Sequence, residues 1–254
     1  MKKLFAAIGF FTRIPVWRLT DIPADKYKRV VDLWPLAGWF TGGITALTLW
    51  GGLQILPTVV AVILAFAIRL ILTGALHEDG LADFIDGMGG GTNRTRILEI
   101  MKDSAIGSYG VIGLIFYFLL LIGCVTSFPA YGAPLIILIA DPWSKFCGSL
   151  LINFLPYSRK QEEAKNKLIY DRMSPMTFAI CLLCGLLPCL IIIPILHLIP
   201  PVLMFALLPS LSLSILIILY LRYKIGGYTG DCCGATALLC ELTFYLSALI
   251  VLNL

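Results

Sequence analysis

Apolar stretches of about 20 residues recur along almost the whole chain, and each is long enough to cross a hydrocarbon core as a helix. Lipid offers no partners for backbone N–H and C=O groups. A spanning segment must therefore satisfy its own, which a helix does. Seven spans are expected, at about Leu33–Trp50, Pro57–Leu76, Ser108–Val125, Ala133–Phe154, Met176–Ile193, Val202–Leu221 and Cys232–Val251. Pro200, Pro201 and Pro209 make the sixth the least regular, since proline removes a helix donor. A mean hydropathy of +0.93 over 254 residues excludes an ordinary soluble domain. The expected fold is all-α, a polytopic integral membrane helical bundle. It has about seven transmembrane helices, a short interfacial helix and one domain over residues 1–254.

The basic residues divide the connections cleanly. Lys2, Lys3, Arg13, Arg18, Lys26, Lys28 and Arg29 precede the first span; Arg94, Arg96 and Lys102 separate the second from the third. Arg159, Lys160, Lys165, Lys167 and Arg172 follow the fourth, and Arg222 and Lys224 the sixth. The connections at 51–56, 126–132 and 194–201 hold no Lys, Arg, Asp or Glu. The positive-inside rule then places the N-terminus and every charged loop in the cytoplasm and the C-terminus outside, for a multi-pass protein of a prokaryotic plasma (inner) membrane. An eight-span or re-entrant variant keeps the same polar face. The opening M-K-K-L-F-A-A-I-G-F-F resembles a signal peptide, but its apolar run is short, Arg13 interrupts it, and no small-x-small cleavage site follows. An uncleaved interfacial or re-entrant segment is expected. The eight cysteines lie mostly within spans, and Cys181-x-x-Cys184 lacks the partners of a zinc site, so they serve as small packing residues. The net charge of +4 follows from topology and suits anionic lipid and anionic substrates, with no reason to invoke nucleic acid. An oligomeric state cannot be read from these residues.

Against this background, L-H-E-D-G-L-A-D-F-I-D-G-M-G-G-G at 76–91 is anomalous. Asp79, Asp83 and Asp86 stand at i, i+4, i+7, which on a helix share a face about 60° wide. Three like charges there repel unless a cation joins them. Oxygen-only ligands suit Mg²⁺ or Mn²⁺, while zinc would require more than the single His77. Gly80 and Gly87 each follow an aspartate, as if a bulky ligand such as a metal-bound diphosphate must approach. The alternative is a solvated polar helix at the interface, although such a helix would more often include lysines.

After Gly89-Gly90-Gly91, Ile97, Ile100 and Met101 define the apolar side of a short amphipathic helix; Arg94, Arg96, Lys102 and Asp103 lie on its polar side. Arginine forks match phosphate oxygens, and snorkelling at the interface accounts for Arg94 equally well. Asp103 could supply a further metal ligand or the general base. Within spans, where a charge costs about 2.5–3.5 kcal/mol on insertion scales, stand Arg69, Asp141, Lys145 and Glu241. Asp141 and Lys145 at i, i+4 suit a structural pair. Arg69 and Glu241 are expected to line a polar cavity opening to the cytoplasm beneath the acidic helix.

His77 to Gly87, H-x-D-G-L-A-D-x-x-D-G, resembles the signature of the cobalamin synthase family, the adenosylcobinamide-GDP ribazoletransferases. Phe10–Val16 (F-F-T-R-I-P-V), Trp34–Gly42, Ile97–Gly110, Leu155–Arg159 (L-P-Y-S-R) and Gly226–Ala235 with Glu241 resemble further family blocks, in family order over nearly the whole chain. Glu78, at an apolar position, and the charged K-Q-E-E-A-K-N after Arg159 depart from the pattern. The resemblance implies the joining of adenosylcobinamide-GDP to α-ribazole or its 5′-phosphate, with release of GMP and a requirement for Mg²⁺. It assigns Asp79, Asp83 and Asp86 to the metal, with Asp103 as ligand or base and His77 as a second base candidate. Arg94, Arg96, Lys102 and Arg159 become phosphate contacts, and Thr229 and Asp231 complete the cavity or bind the ribazole.

Two other classes compete. CDP-alcohol phosphatidyltransferase-like enzymes also hold metals with spaced aspartates and an Asp-Gly pair, but Asp83 stands where such a motif continues A-R. A membrane transporter would place its essential acids near the bilayer midplane and often shows paired repeats, neither of which this sequence does.

Overall fold

The computed structural model describes residues 2–159, 169–196 and 200–252. In chain order the helices are α1 (Lys2–Phe11), α2 (Ala24–Tyr27), α3 (Trp34–Gly52), α4 (Thr58–Thr73), α5 (Leu76–Gly90), α6 (Arg94–Ile100), α7 (Ser108–Ser127), α8 (Ala133–Phe154), α9 (Pro175–Leu196), α10 (Pro200–Ile225) and α11 (Gly230–Leu252). Short 3₁₀ turns at Val16–Arg18 and Val30–Leu33 flank α2. The β-type contact among the described residues is an isolated parallel bridge between Tyr157 and Tyr228.

Among the described residues five helices, α7 to α11, are long and apolar enough to cross a bilayer, and the chain is a multi-pass membrane protein. The expected count of seven straight spans is not reproduced. The first expected span folds as α3, but its glycines, threonines and tryptophans keep it out of the strongly apolar class. The second breaks: α4 ends at Thr73, and α5 leaves it at 90°, so the two make at most one bent span. Pro209, one of the prolines expected to make the sixth span the least regular, lies inside a continuous α10, where the Ser210 hydroxyl donates to the Ala206 carbonyl at 3.3 Å. The expected short helix after the glycine triplet forms as α6. Asn93 caps it, accepting from the Arg96 N–H at 3.0 Å.

Helix α8 is buried along nearly its whole length and forms the centre of the bundle, with α3, α9 and α11 packed on it. Close approach explains the small residues of α3: a Cβ at Gly38 would come within 2.7 Å of the Pro142 backbone. Helices α7 and α9 are mostly exposed, presenting side chains such as Ile112, Phe116, Leu183 and Leu190 as lipid-facing surface.

The in-span charges form one buried network. Arg69 of α4 reaches Glu241 of α11 at 2.6 Å, and the Tyr245 hydroxyl donates to the same Glu241 oxygen at 2.8 Å. Asp141 of α8 pairs with Lys145, accepts from Thr41 of α3 at 2.9 Å and lies 3.9 Å from Arg69. Four helices are thus tied by groups that cannot be separated without leaving a charge unmatched in a low dielectric. The Asp141–Lys145 pairing is as the spacing suggested. Arg69 and Glu241, expected to line a polar cavity, instead pair with each other inside the bundle, each at most 4% exposed. Glu78 is buried within electrostatic reach of this network, including Arg69.

Candidate active site

The turn from α4 into α5 is made by two consecutive left-handed residues, Gly74 at φ 65° and Ala75 at φ 55°. Glycine adopts that conformation at no cost, whereas for alanine it costs about 1 kcal/mol or more. The Arg13 backbone N–H donates to the Leu72 carbonyl at 2.7 Å and the Arg13 side chain packs over Gly74, so the segment after α1 clasps the bend. Helix α5 then runs between α11, which meets its first half, and α7 and α6, which meet its second.

Gly80 is where α5 and α11 touch: a Cβ there would lie 3.1 Å from the Asp231 backbone, and one at Gly234 would lie 3.3 Å from His77. Gly87 packs against Met101 and Ile97 of the α6 region. The glycines beside the aspartates thus admit neighbouring helices and not, as the sequence suggested, a bulky ligand. The contact at Gly80 also sets Asp79 of α5 beside the N-terminus of α11, which Asp231 begins.

Two loops complete this end. Leu155–Arg159 and Gly226–Thr229 are zipped by Ser158 N–H to the Tyr228 carbonyl and Tyr228 N–H to the Pro156 carbonyl, both at 2.9 Å. Thr229 is fully buried, and its hydroxyl lies 3.4 Å from both the Asp231 carboxylate and the Cys232 N–H, so it holds the α11 N-terminus. Arg159 donates to the Leu98 carbonyl at 2.9 Å, and Arg94 to the Ser158 carbonyl at 3.1 Å, fastening α6 to the loop.

Together these elements enclose a cavity of ≈ 230 Å³. Its polar lining comes from Asp79, Asp231, Arg159 and His77, all expected from the sequence. Aromatic rings line it as well: Phe10 and Phe11 of α1, Trp34, Tyr157 and Tyr170. Phe11 and Trp34 are stacked at 5.3 Å between centroids, and Trp34 lies 5.5 Å from the His77 ring. The Trp34 Nε1 and His77 Nε2 atoms are buried without hydrogen-bond partners. Burial pushes the Tyr157 and Tyr170 phenols above their usual range, which keeps both protonated.

The remaining expected residues are dispersed. Asp83 lies one turn beyond Asp79 on α5 and is half-buried. Asp86 faces away from the cavity: its two oxygens accept from the N–H groups of Gly107 and Gly110 at 2.7 and 2.8 Å, anchoring the start of α7. Asp103 accepts from the Ala105 N–H and shares a second, open cavity of ≈ 440 Å³ with Asp86 and Arg96. Lys102 is exposed. The three aspartates of α5 do not converge, and among the described residues no three His, Cys, Asp or Glu side chains gather closely enough to chelate an ion. The donor set at the first cavity still fits Mg²⁺, which is commonly held by one or two carboxylates with substrate phosphates and water supplying the rest. Asp79 and Asp231 provide the carboxylates there, and Arg159 a phosphate-matching fork. The charged stretch from Lys160 to Asn166 lies outside the described residues.

The aromatic wall is what sequence reasoning missed as a functional feature. Phe10, Phe11, Trp34 and Tyr157 stand in the blocks at Phe10–Val16, Trp34–Gly42 and Leu155–Arg159, Tyr170 stands in none, and nothing local indicates that they meet.

A family model described as cobalamin-5-phosphate synthase matches residues 3–250. Relatives named adenosylcobinamide-GDP ribazoletransferase include that of Shewanella oneidensis, 35% identical over 250 residues, covering 97% of this chain and 93% of the relative. That of Leptothrix cholodnii is 37% identical over 245 residues, covering 95% and 92%. No solved structure matches the chain.

Proposed function

The chain belongs to the cobalamin-5-phosphate synthase family, and from that premise we propose that it is an adenosylcobinamide-GDP ribazoletransferase working at the cavity between α5 and α11. It joins adenosylcobinamide-GDP to α-ribazole or α-ribazole 5′-phosphate, giving adenosylcobalamin or its 5′-phosphate and GMP. The observation that carries this reading is the convergence of Asp79, Asp231, Arg159 and His77 on one cavity that aromatic rings also line. That arrangement suits a phosphoryl transfer between an anionic diphosphate and a nucleoside.

The acceptor's ribose oxygen attacks the phosphorus that carries the corrinoid. The new O–P bond forms as the P–O bond to GMP breaks, and GMP leaves with the bridging oxygen. Arg159 binds the phosphate oxygens in line with the attack. His77 Nε2, which has no other hydrogen-bond partner, takes the proton released by the hydroxyl. Asp103, the other base candidate, lines the second cavity and is not grouped with these residues. Mg²⁺ held by Asp79 and Asp231, with Asp83 alongside, would neutralise charge on the leaving phosphate. Trp34 and Phe11 close the cavity and limit water there. The charged loops carrying Arg94, Arg96 and Arg159 support a cytoplasmic orientation of this face at an inner membrane, where nucleotide substrates are available.

Membranes containing the protein should release GMP from adenosylcobinamide-GDP when α-ribazole and Mg²⁺ are added. CMP release from a CDP-alcohol, with no GMP release from the corrinoid, would overturn the reading.

A further inference from the structure

The cavity lining combines two chemistries: carboxylates with a guanidinium, and aromatic rings. The aromatic part is assembled from segments far apart in sequence. Phe10 and Phe11 come from α1, Trp34 from the start of α3, and Tyr170 from the segment leading to α9. Maintaining it takes dedicated contacts. Lys3 of α1 pairs with the buried Asp32 at 2.6 Å, Arg29 reaches the same carboxylate at 3.0 Å, and the Asp171 N–H donates to the Lys28 carbonyl at 3.0 Å. These ties hold α1, the 3₁₀ turn before α3 and the Tyr170 segment together.

Three parts of the two substrates could compete for this space. The corrin macrocycle is too large for ≈ 230 Å³. Guanine is small enough, but its edges carry N–H donors as well as acceptors. The aromatic residues offer no carboxylate or amide side chain to receive those donors, and Asp79 and Asp231 are taken up by Mg²⁺ in the transferase reading; burying the donors unmet is costly. The base of α-ribazole, a dimethylated benzimidazole, has an apolar edge, two aromatic faces and one free ring nitrogen that only accepts. Against these, Trp34 supplies one buried N–H without a partner.

We propose that the aromatic residues lining the cavity form the binding site for the acceptor's base, with Phe10 and Tyr170 packing on it and Trp34 Nε1 donating to its free ring nitrogen. Trp34 is thereby a specificity-determining residue. The assignment takes the identity of the base from the transferase reading.

The test uses full-length protein in membranes, with α-ribazole and its indole analogue, in which the free ring nitrogen is replaced by C–H. Wild-type protein should favour α-ribazole by about tenfold in kcat/KM, the effect of one buried hydrogen bond. Trp34→Phe, which keeps an aromatic ring and removes the N–H, should lose that preference and raise the KM for α-ribazole about tenfold while leaving the KM for adenosylcobinamide-GDP unchanged. Unaltered discrimination by Trp34→Phe would overturn the proposal. Phe10→Leu, at a half-buried position, should raise the acceptor KM alone; a rise confined to the donor KM would assign the cavity to guanine and overturn it. Equilibrium binding of α-ribazole to the detergent-solubilised protein separates this from the functional reading. Weakened binding in Trp34→Phe upholds the base site even if no GMP is released, whereas equal binding by both proteins rejects it.

Discussion

Two groups of charges set the bundle interior apart from its open end. Inside, Arg69, Glu241, Asp141 and Lys145 are each buried against an opposite charge, and the Thr41 and Tyr245 hydroxyls also donate to the two carboxylates. At the open end, Asp79 is exposed and Asp231 half-buried, and both line a cavity with Arg159. In the sequence the two groups look alike, as ionisable residues in apolar surroundings. What separates them is accessibility. A charge network closed to water fixes helices relative to one another, whereas a charged rim leaves room for a ligand to complete it.

Mutations should separate the two groups by what they damage. Asp79→Ala is expected to have the largest effect on chemistry. Turnover should fall by about three orders of magnitude, roughly 4 kcal/mol of barrier, while the unfolding midpoint in detergent stays at the wild-type value. An equal fall in the midpoint would make the rim structural and erase the contrast. Arg69→Met should do the reverse, leaving Glu241 buried beside no guanidinium and costing about 3–5 kcal/mol of stability. Adding Glu241→Met should recover most of that loss, because paired removal strands no charge. A stable single variant with lost turnover would move Arg69 to the catalytic group. The smallest effect belongs to the bend between the two regions. Ala75→Gly relieves the left-handed strain and should stabilise by up to about 1 kcal/mol without changing turnover, as measured by the same unfolding and GMP-release assays.

Some of this was legible in the sequence because it is local. Helix α8 begins and ends where its apolar run does, and α7, α9 and α11 differ from their expected limits by at most a few residues. The membrane class, the short α6 and the placement of His77, Asp79, Arg159 and Asp231 at one end of the bundle also follow from patterns within single segments. The failures are non-local. The Arg69–Glu241 pair joins residues 172 positions apart, and no period or spacing announces it. Asp86 has the helical phase of a third metal ligand, but α7 packs against its turn of α5 and claims both its oxygens. The bend had a partial signal in Gly74. Its sharpness depends on Ala75, a residue type that gives no indication of φ 55°.

That right angle between α4 and α5 also changes what distance along the sequence means. On a straight span, each step from Asp79 toward Asp86 would be a step in depth. On a helix laid crosswise, seven residues at about 1.5 Å each become roughly 10 Å of sideways travel. The two cavities, one holding Asp79 and the other Asp86, therefore sit side by side along one rod. A long amphiphilic molecule meets such a row as a ship meets a quay, lying alongside with several moorings within reach, and it need not thread itself inward to be held at more than one point.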